Sequence, residues 1–390
     1  MPAKLPVPSV AGLFWSFLRL GATSFGGPSM VAYIRRMAVE QKHWLEEDSF
    51  LAGVALCQVI PGATAMQTSA YVGLRTRGFI GAVASFTGFG LPAYVFMMVL
   101  STLYTRAHSL PAVVSVFQGL QAVIVAIVAN ATLTFGRASL KSWRAVAIGV
   151  VAAAIFGLGL NPLMAVLCAS VLGILLDIQP FKTRRTPDSP KIPHYWPVLI
   201  SVAALSAIGY LFLFFLRRPL FELAGLMTIV DLSAFGGGFA SLPLMFHEIV
   251  DVRAWLDGPT FLNGVVLGQV TPGPIVITAT FVGNLLHGPV GGLIATIAVF
   301  LPSFLLVVAT TPHFNRLLAS GRFTMAVGGI LCSFVGLLLT VTVRFALNVP
   351  WDLGRTLLAC AAFVALVLKV DILWVVLAGV IISLVVFLAP

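Results

Sequence analysis

A segment of fourteen residues occurs twice in this chain, and this duplication restricts the possible folds more than any other feature. Residues 49–62, SFLAGVALCQVIPG, return as residues 260–273, TFLNGVVLGQVTPG, with nine of the fourteen positions identical. Each copy follows a Phe-Gly-Gly segment, which begins at Phe25 in the first half and at Phe235 in the second. We therefore expect one structural unit to be built twice.

The composition around the repeat indicates a membrane protein. Apolar residues make up 59% of the chain and charged residues 9%, whereas about a quarter of the residues of a soluble domain are charged. The apolar stretches exceed the roughly 9–11 residues of a spanning strand and do not alternate, which excludes a barrel. We predict an all-α polytopic membrane protein. The net charge of +10 is assigned to its loops rather than to nucleic-acid binding.

Apolar runs of membrane-spanning length predict thirteen helices. They are expected at residues 10–34, 50–74, 78–104, 112–135, 145–160, 163–177, 196–216, 220–246, 260–284, 288–311, 323–345, 355–368 and 372–388. Tight hairpins are expected around Asn161 and Asp371. Residues 1–177 and 220–390 then form two homologous repeats, joined by a cytoplasmic linker and an unpaired helix within 178–219.

The unpaired helix decides how the repeats are oriented. Six spans on each side of it place the second repeat upside down, so the main prediction is a pair of inverted repeats with a cytoplasmic N-terminus. The excess of Lys and Arg in the cytoplasmic loops agrees with this orientation, but it fits the alternative below no worse. An alternative stays open, in which each Gln-x-x-Pro-Gly turns the chain back as a re-entrant hairpin and the halves run parallel with five spans each.

The proline and glycine that end each copy predict a helix break near the middle of the membrane. Proline lacks a backbone N–H and glycine loosens the chain, so Pro61-Gly62 and Pro272-Gly273 leave backbone groups that must face protein or a water-filled site. The helix that begins after each break exposes N–H groups and the positive end of its dipole, which favours an anion. The alternative is a proline kink packed by small residues.

Polar residues near the breaks are predicted to bind the substrate. Gln58 and Gln269 each precede a proline by three residues. The Phe-Gly-Gly glycines either line the same cavity or only let helices approach closely. The predicted substrate-binding residues are Arg19, Phe25, Gly26, Gly27, Gln58, Pro61, Gly62, Thr64, Gly236, Gly237, Gln269, Thr271, Pro272 and Gly273.

Two ionisable residues lie in the middle of predicted spans, where each costs roughly 3 kcal/mol unless it faces a cavity or a partner. Arg19 is the predicted cation for an oxyanion, because a guanidinium binds two oxygens at once. Asp231, in the equivalent span of the second half, is the predicted proton-coupling residue. The alternative is an ion pair between them that only holds the halves together.

These motifs together resemble the chromate ion transporter (CHR) family in its long, two-domain form. The resemblance rests on FGGP, VEQKHWL and QVIPG in the first half and on FGGG and QVTPG in the second, and it covers almost the whole chain. It implies an inner-membrane antiporter that exports chromate from the cytoplasm, confers chromate resistance and is driven by the membrane potential or the proton gradient. Sulfate or another oxyanion is the alternative substrate.

The sequence contains no arrangement typical of an enzyme. Four cysteines form no C-x-x-C pair, six histidines are scattered, and no nucleotide-binding loop is present. Neither catalytic residues nor a metal or cofactor is predicted. The expected partners are chromate or sulfate and the lipid bilayer, without nucleic acid, and a homodimer is left open.

Overall fold

The computed structural model describes residues 6–25, 29–178, 195–314 and 320–387. Within these ranges the chain is helical and has no β-strand. The first half contains α1 (Val10–Thr23), α2 (Ser29–Arg35), α3 (Glu47–Val59), α4 (Thr64–Ala107), α5 (Pro111–Ser139), α6 (Trp143–Gly157) and α7 (Pro162–Leu175). The second half follows α8 (Trp196–Leu216) and contains α9 (Arg218–Ser233), α10 (Ser241–Phe246), α11 (Gly258–Val270), α12 (Thr278–Thr310), α13 (Gly321–Leu347), α14 (Leu353–Val367) and α15 (Ile372–Phe387).

Five helices of the described chain are long and apolar enough to cross a membrane. They are Thr64–Ala107, Pro111–Ser139, Trp196–Leu216, Ile275–His313, which extends α12 by a short turn at each end, and Gly321–Leu347. The unpaired span predicted at 196–216 coincides with α8. The tight hairpins predicted around Asn161 and Asp371 are present as α6/α7 and α14/α15.

A tight turn divides both α4 and α12 into two arms. The turns lie at Arg77-Gly78 and at His287-Gly288, and the glycine φ angles are +65° and +66°. Glycine adopts this left-handed conformation without strain. The same turn therefore occurs at the same place in both halves.

α3 and the first arm of α4 form a helical hairpin with Pro61-Gly62 at its tip. Ile60 is extended (φ −86°, ψ 149°), as expected for a residue before proline, and α3 ends there. The Tyr71 hydroxyl donates to the Ser49 carbonyl over 3.0 Å. The two arms therefore run side by side in opposite directions.

The second half contains the same hairpin. α11 ends at Thr271, which is extended before proline (φ −77°, ψ 132°), and the first arm of α12 returns so that Phe281 packs on α11. The predicted spans 50–74 and 260–284 are therefore not single crossing helices. The prediction of thirteen full spans is wrong at these segments, because the chain turns back at each Pro-Gly.

The predicted span 10–34 is also broken and turned back. Arg35, at the end of α2, pairs with Glu47 at the start of α3. Arg77 donates to the carbonyl of Pro8, just before α1, over 2.5 Å. The C-terminus of α2 therefore lies on the same side of the bundle as the N-terminus of α1. In the second half, the corresponding segment is likewise divided by a break between α9 and α10.

The second arms of α4 and α12 lie against each other at the centre of the molecule. The rings of Phe86 and Phe304 meet edge to face with centroids 5.1 Å apart. Met98 lies against Gly292. Early residues of one arm thus meet late residues of the other, so the two arms are antiparallel.

The two halves are interlocked rather than separate. α5 packs against α14 and α15 of the second half, and α13 packs against α6 and α7 of the first. Glycines permit this contact: a Cβ at Gly336 would lie 2.0 Å from the Gly149 carbonyl oxygen, and one at Gly329 would lie 2.0 Å from that of Ala169. Small residues let membrane helices approach closely in this way.

Candidate functional site

Helix breaks of the two halves meet at the centre of the molecule. The Gly62 N–H donates to the carbonyl of Ala234, at the C-terminal end of α9, over 3.0 Å. Reciprocally, the Gly273 N–H donates to the carbonyl of Ser24, at the end of α1, also over 3.0 Å. Each Pro-Gly turn therefore supplies a donor to a helix end of the other half, where carbonyl groups have no partner in their own helix.

A cavity of about 380 Å³ lies beside the first-half turn. It is enclosed by α2, α3, the beginning of α4 and the break that follows α9. The lining residues that bear on binding are Arg35, Phe50, Gln58, Ala63, Thr64, Phe135, Gly236 and Gly237.

Gln58 and Thr64 bring hydrogen-bonding side chains to this cavity. Gln58 is exposed on α3, three residues before Pro61. Thr64 is the first residue of α4, so the N–H groups of that first turn have no acceptor within the helix. The helix dipole adds partial positive charge at the same point. The arrangement suits an anion with several oxygen atoms.

Two consecutive glycines of the second half form part of the cavity wall. Gly236 and Gly237 have φ angles of +88° and +107°, in the region that favours glycine. A Cβ at Gly237 would lie 3.3 Å from Thr64 Oγ1. The backbone of the second half therefore comes close to the N-terminus of α4.

Arg35 places a guanidinium at the mouth of the cavity. Its Nε donates to Glu47 and its Nη1 donates to Glu40, both over 2.7 Å. The side chain is 41% exposed. A guanidinium has five N–H donors, so the two carboxylates orient the group and leave donors for an oxyanion.

The structure brings together some of the predicted site residues and separates others. Four line the cavity: Gln58, Thr64, Gly236 and Gly237. Pro61 and Gly62 form the adjoining turn, and Phe25 is partly buried near the end of α1. The second-half turn holds Gln269, Thr271, Pro272 and Gly273, all of them buried. Gly26 and Gly27 lie outside the described residues.

Arg19 lies away from the cavity. The buried face of α1 includes Phe17 and Gly21, and Arg19 is exposed on another face, as helical periodicity requires for a residue two positions from each. In the described chain no ion pair joins Arg19 to Asp231. Its role in binding stays a prediction, and Arg35 is the guanidinium that lies at the cavity.

Asp231 is fully buried in the last turn of α9 and is held by Ser303. The Ser303 N–H and Oγ–H donate to the two carboxyl oxygens, each over 2.8 Å. Ser303 Oγ accepts in turn from the Ala63 N–H over 3.0 Å. One hydroxyl group therefore links the carboxyl of Asp231 to a residue that lines the cavity.

Three phenyl rings fill the equivalent place in the second half. With the repeat offset of 210 or 211 residues, Arg35, Phe50 and Phe135 correspond to Phe246, Phe261 and Phe345. The three ring pairs have centroid distances of 5.6, 5.4 and 6.2 Å, and no ring is more than 2% exposed. We call these residues the phenylalanine cluster. Gln269, the counterpart of Gln58, is 6% exposed.

Arg35 and Ser303 belong to the site but are not among the residues predicted from the sequence. Both differ between the repeats, because Arg35 stands where the second half has Phe246 and Ser303 stands where the first half has Ala93. Each is polar in one half and apolar at the equivalent position of the other half. This difference between the two copies is the sequence signal that identifies both residues.

The amino-acid sequence matches the profile of one known protein family in both halves. The sequence profile of the chromate transporter family matches it twice, over residues 11–174 and 221–384. Each match corresponds to one half of the molecule.

Individual relatives extend over nearly the whole chain. A transporter of Methanocaldococcus jannaschii, itself described as uncharacterized, is 41% identical over 95% of this chain and 92% of its own length. A probable chromate transport protein of Synechococcus elongatus is 30% identical over 92% of this chain and 90% of its own. A chromate transport protein of Cupriavidus metallidurans is 28% identical over 93% and 89%. No solved structure matches the chain.

Proposed function

Because this chain belongs to the chromate transporter family, we propose that it is a secondary transporter that exports chromate from the cytoplasm across the inner membrane. Chromate binds in the cavity beside the first Pro-Gly turn. Export lowers the cytoplasmic concentration of the anion and so confers chromate resistance.

The observation that carries this proposal is the meeting of several donors at one cavity. Gln58, the first turn of α4 at Thr64, and Arg35 at the mouth can each donate to an oxyanion. Chromate is a tetrahedral dianion with four acceptor oxygens, and helix N-termini and guanidinium groups favour such anions. Gln58 is neutral, so it can orient the anion without holding it too tightly for release.

In this proposal the two halves are inverted repeats joined by α8. The antiparallel second arms of α4 and α12 and the reciprocal bonds of Gly62 and Gly273 support that topology. The cavity then belongs to one face of the membrane, and the phenylalanine cluster closes the path to the other. When the cavity closes and the phenylalanine cluster opens, the bound anion becomes accessible from the other side of the membrane, as in other inverted-repeat carriers.

The charge distribution supports a cytoplasmic position for the open cavity. Cytoplasmic loops carry an excess of Lys and Arg. Among the described residues, the loops and helix ends on the Arg35 side carry Arg35, Arg36, Lys42, Arg75, Arg77, Arg137, Lys141, Arg144, Arg322 and Lys369. The opposite side carries Arg106, Arg217, Arg218, Arg253, Arg344 and Arg355.

The membrane potential is sufficient to drive export. A dianion that leaves a negative interior gains about 4.6 kcal/mol at 100 mV, or roughly three decades of concentration ratio. Asp231 is the proposed proton-coupling residue, because its carboxyl is buried and is linked by Ser303 to the cavity. Inward movement of a proton against outward chromate makes the carrier an antiporter.

Everted membrane vesicles provide the direct test. Energised everted vesicles that contain the protein are expected to accumulate radiolabelled chromate, and dissipating the potential should abolish the accumulation. Uptake no greater than in vesicles without the protein contradicts the proposal. Competition by sulfate in the same vesicles ranks the two oxyanions. Recovery of reduced chromium from the purified protein would instead indicate an enzyme.

A further inference from the structure

We propose that Ser303 and Gln67 form, together with Asp231, a hydrogen-bond switch that transmits protonation of Asp231 to the chromate cavity. The inference rests on the proposed function, in which Asp231 takes up the coupling proton. It assigns positioning roles to two residues that do not themselves line the cavity.

The three side chains surround one point, the Pro-Gly turn of the first half. Ser303 Oγ donates to Asp231 over 2.8 Å. A Cβ added at Gly62 would lie 2.0 Å from Ser303 Oγ and 2.7 Å from Gln67 Nε2. The amide of Gln67 and the Ser303–Asp231 pair are therefore immediate neighbours, and glycine at position 62 leaves the space that they occupy.

Gln67 contains a buried acceptor without a donor. The residue is fully buried, and its Nε2 donates to the Pro61 carbonyl over 2.6 Å, which fixes the orientation of the amide. Its Oε1 has no hydrogen-bond partner among the described residues. A buried polar atom without a partner is rare and costly. The unpaired acceptor is explained if it accepts a hydrogen bond only when the Asp231 carboxyl is protonated.

The proposed switch has two states. When Asp231 is ionised, the Ser303 hydroxyl donates to it and accepts from the Ala63 N–H, as observed. When Asp231 takes up the coupling proton from the aqueous phase, its new O–H donates to Ser303 Oγ. The hydroxyl hydrogen of Ser303 then turns to Gln67 Oε1, once a shift of the Gln67 amide brings that oxygen within hydrogen-bond distance of Ser303 Oγ. No other proton moves, and Gln67 becomes bonded both to Ser303 and to Pro61, at the turn beside the cavity.

The equivalent place beside the second Pro-Gly turn lacks every part of this switch. The counterparts of Asp231, Ser303 and Gln67 are Gly21, Ala93 and Ile277. Pro274 replaces Ala63 and has no N–H to donate. The polar network therefore belongs only to the turn beside the open cavity and is not part of the scaffold common to both halves.

Other ionisable groups near α9 have different partners or positions. The titratable or charged side chains of the elements packed against α9, and of α9 itself, are Tyr210, Arg218, Glu222, His247, Glu248, Asp251, Cys57 and His287. Tyr210 bonds to Thr228, Arg218 pairs with Glu222, and His247 pairs with Asp251. None of them is a hydrogen-bond or ion-pair partner of Asp231 in the described chain.

The test is the pH profile of chromate flux in proteoliposomes. Wild-type flux should follow a single-proton curve, and Asp231→Asn should flatten it. Ser303→Ala should also flatten it, whereas Ser303→Thr, which keeps the hydroxyl, should restore it. Gln67→Leu removes the acceptor of the protonated state and should move the midpoint to lower pH by about one unit, the effect of one ordinary hydrogen bond.

The controls separate this inference from the proposed function. Ser333→Ala removes a buried serine with only a local bond to Ile330 and should keep the wild-type profile. If Asp231→Asn leaves the profile unchanged, proton coupling at Asp231 fails. If Asp231→Asn flattens the profile but Ser303→Ala does not, or Ser303→Thr fails to restore it in a folded protein, the switch is overturned while the proposed transport stands.

Discussion

Gln58 and Gln269 occupy equivalent positions, three residues before the proline of each turn, but their surroundings differ. Gln58 is exposed in a cavity whose mouth contains Arg35. Gln269 is 6% exposed, and its Nε2 has no partner among the described residues. The two turns share their backbone geometry, with Gly62 and Gly273 at φ +123° and +118°.

The comparison shows that duplication preserved the scaffold while the side chains around it diverged. Phe50 and Phe261 are conserved in type between the halves, as are Phe135 and Phe345. The difference lies in the third position, Arg35 against Phe246: an arginine keeps the first site polar, and a phenylalanine completes a closed cluster in the second.

Replacing Arg35 should have the largest effect on transport. Arg35→Ala removes the guanidinium at the cavity mouth, and loss of charge-assisted hydrogen bonds worth about 1.5–3 kcal/mol predicts a decrease in chromate kcat/KM of roughly 10- to 100-fold. Flux in everted vesicles measures it. Arg36→Ala, at an exposed neighbour outside the cavity, is the matched control and should stay close to wild type.

The same measurement compares the two candidate arginines. Arg19→Ala should leave chromate flux nearly unchanged, because Arg19 is exposed on α1 away from the cavity. If Arg19→Ala is the more damaging variant, the cation assigned from the sequence is correct and the role given to Arg35 is not.

The pair of glutamines should show the next largest effect. Gln58→Ala removes a neutral hydrogen bond to the anion, worth about 1 kcal/mol, and should lower chromate kcat/KM roughly fivefold. Gln269→Ala, at the closed turn, should change it less. The measurement is chromate kcat/KM for both variants. An equal decrease in the two would mean that the anion contacts both turns during the transport cycle.

Much of the scaffold was predictable because it follows from local chemistry. Pro-Gly ends a helix wherever it occurs, so breaks at Pro61-Gly62 and Pro272-Gly273 follow from residue type alone. Whether the chain continues or turns back depends on contacts between distant residues, such as Tyr71 with Ser49. Hydropathy carries no information on that choice, which explains the error in counting spans.

The candidate site was predictable only in part, for a related reason. Gln58 and Thr64 adjoin a repeated motif and could be selected from it. Arg35 lies in a helix whose direction is set by the break before it, so its position at the cavity depends on tertiary structure. The position of Arg19 in an apolar run predicts a binding role, but helical periodicity places this residue on a different face from Phe17.

Truncating a ring of the phenylalanine cluster should affect stability more than transport. Phe345→Ala leaves a void among rings that are at most 2% exposed, and such truncations cost about 3–5 kcal/mol of stability. Phe135→Ala, at the partly exposed counterpart beside the cavity, should cost less. Thermal unfolding of both variants in detergent measures the difference.

Because the cluster seals the path and does not bind chromate, flux through Phe345→Ala should change by less than the roughly fivefold loss expected for Gln58→Ala. A large loss of flux in a folded Phe345→Ala protein would place that ring in contact with the anion and remove the distinction between an open and a sealed half.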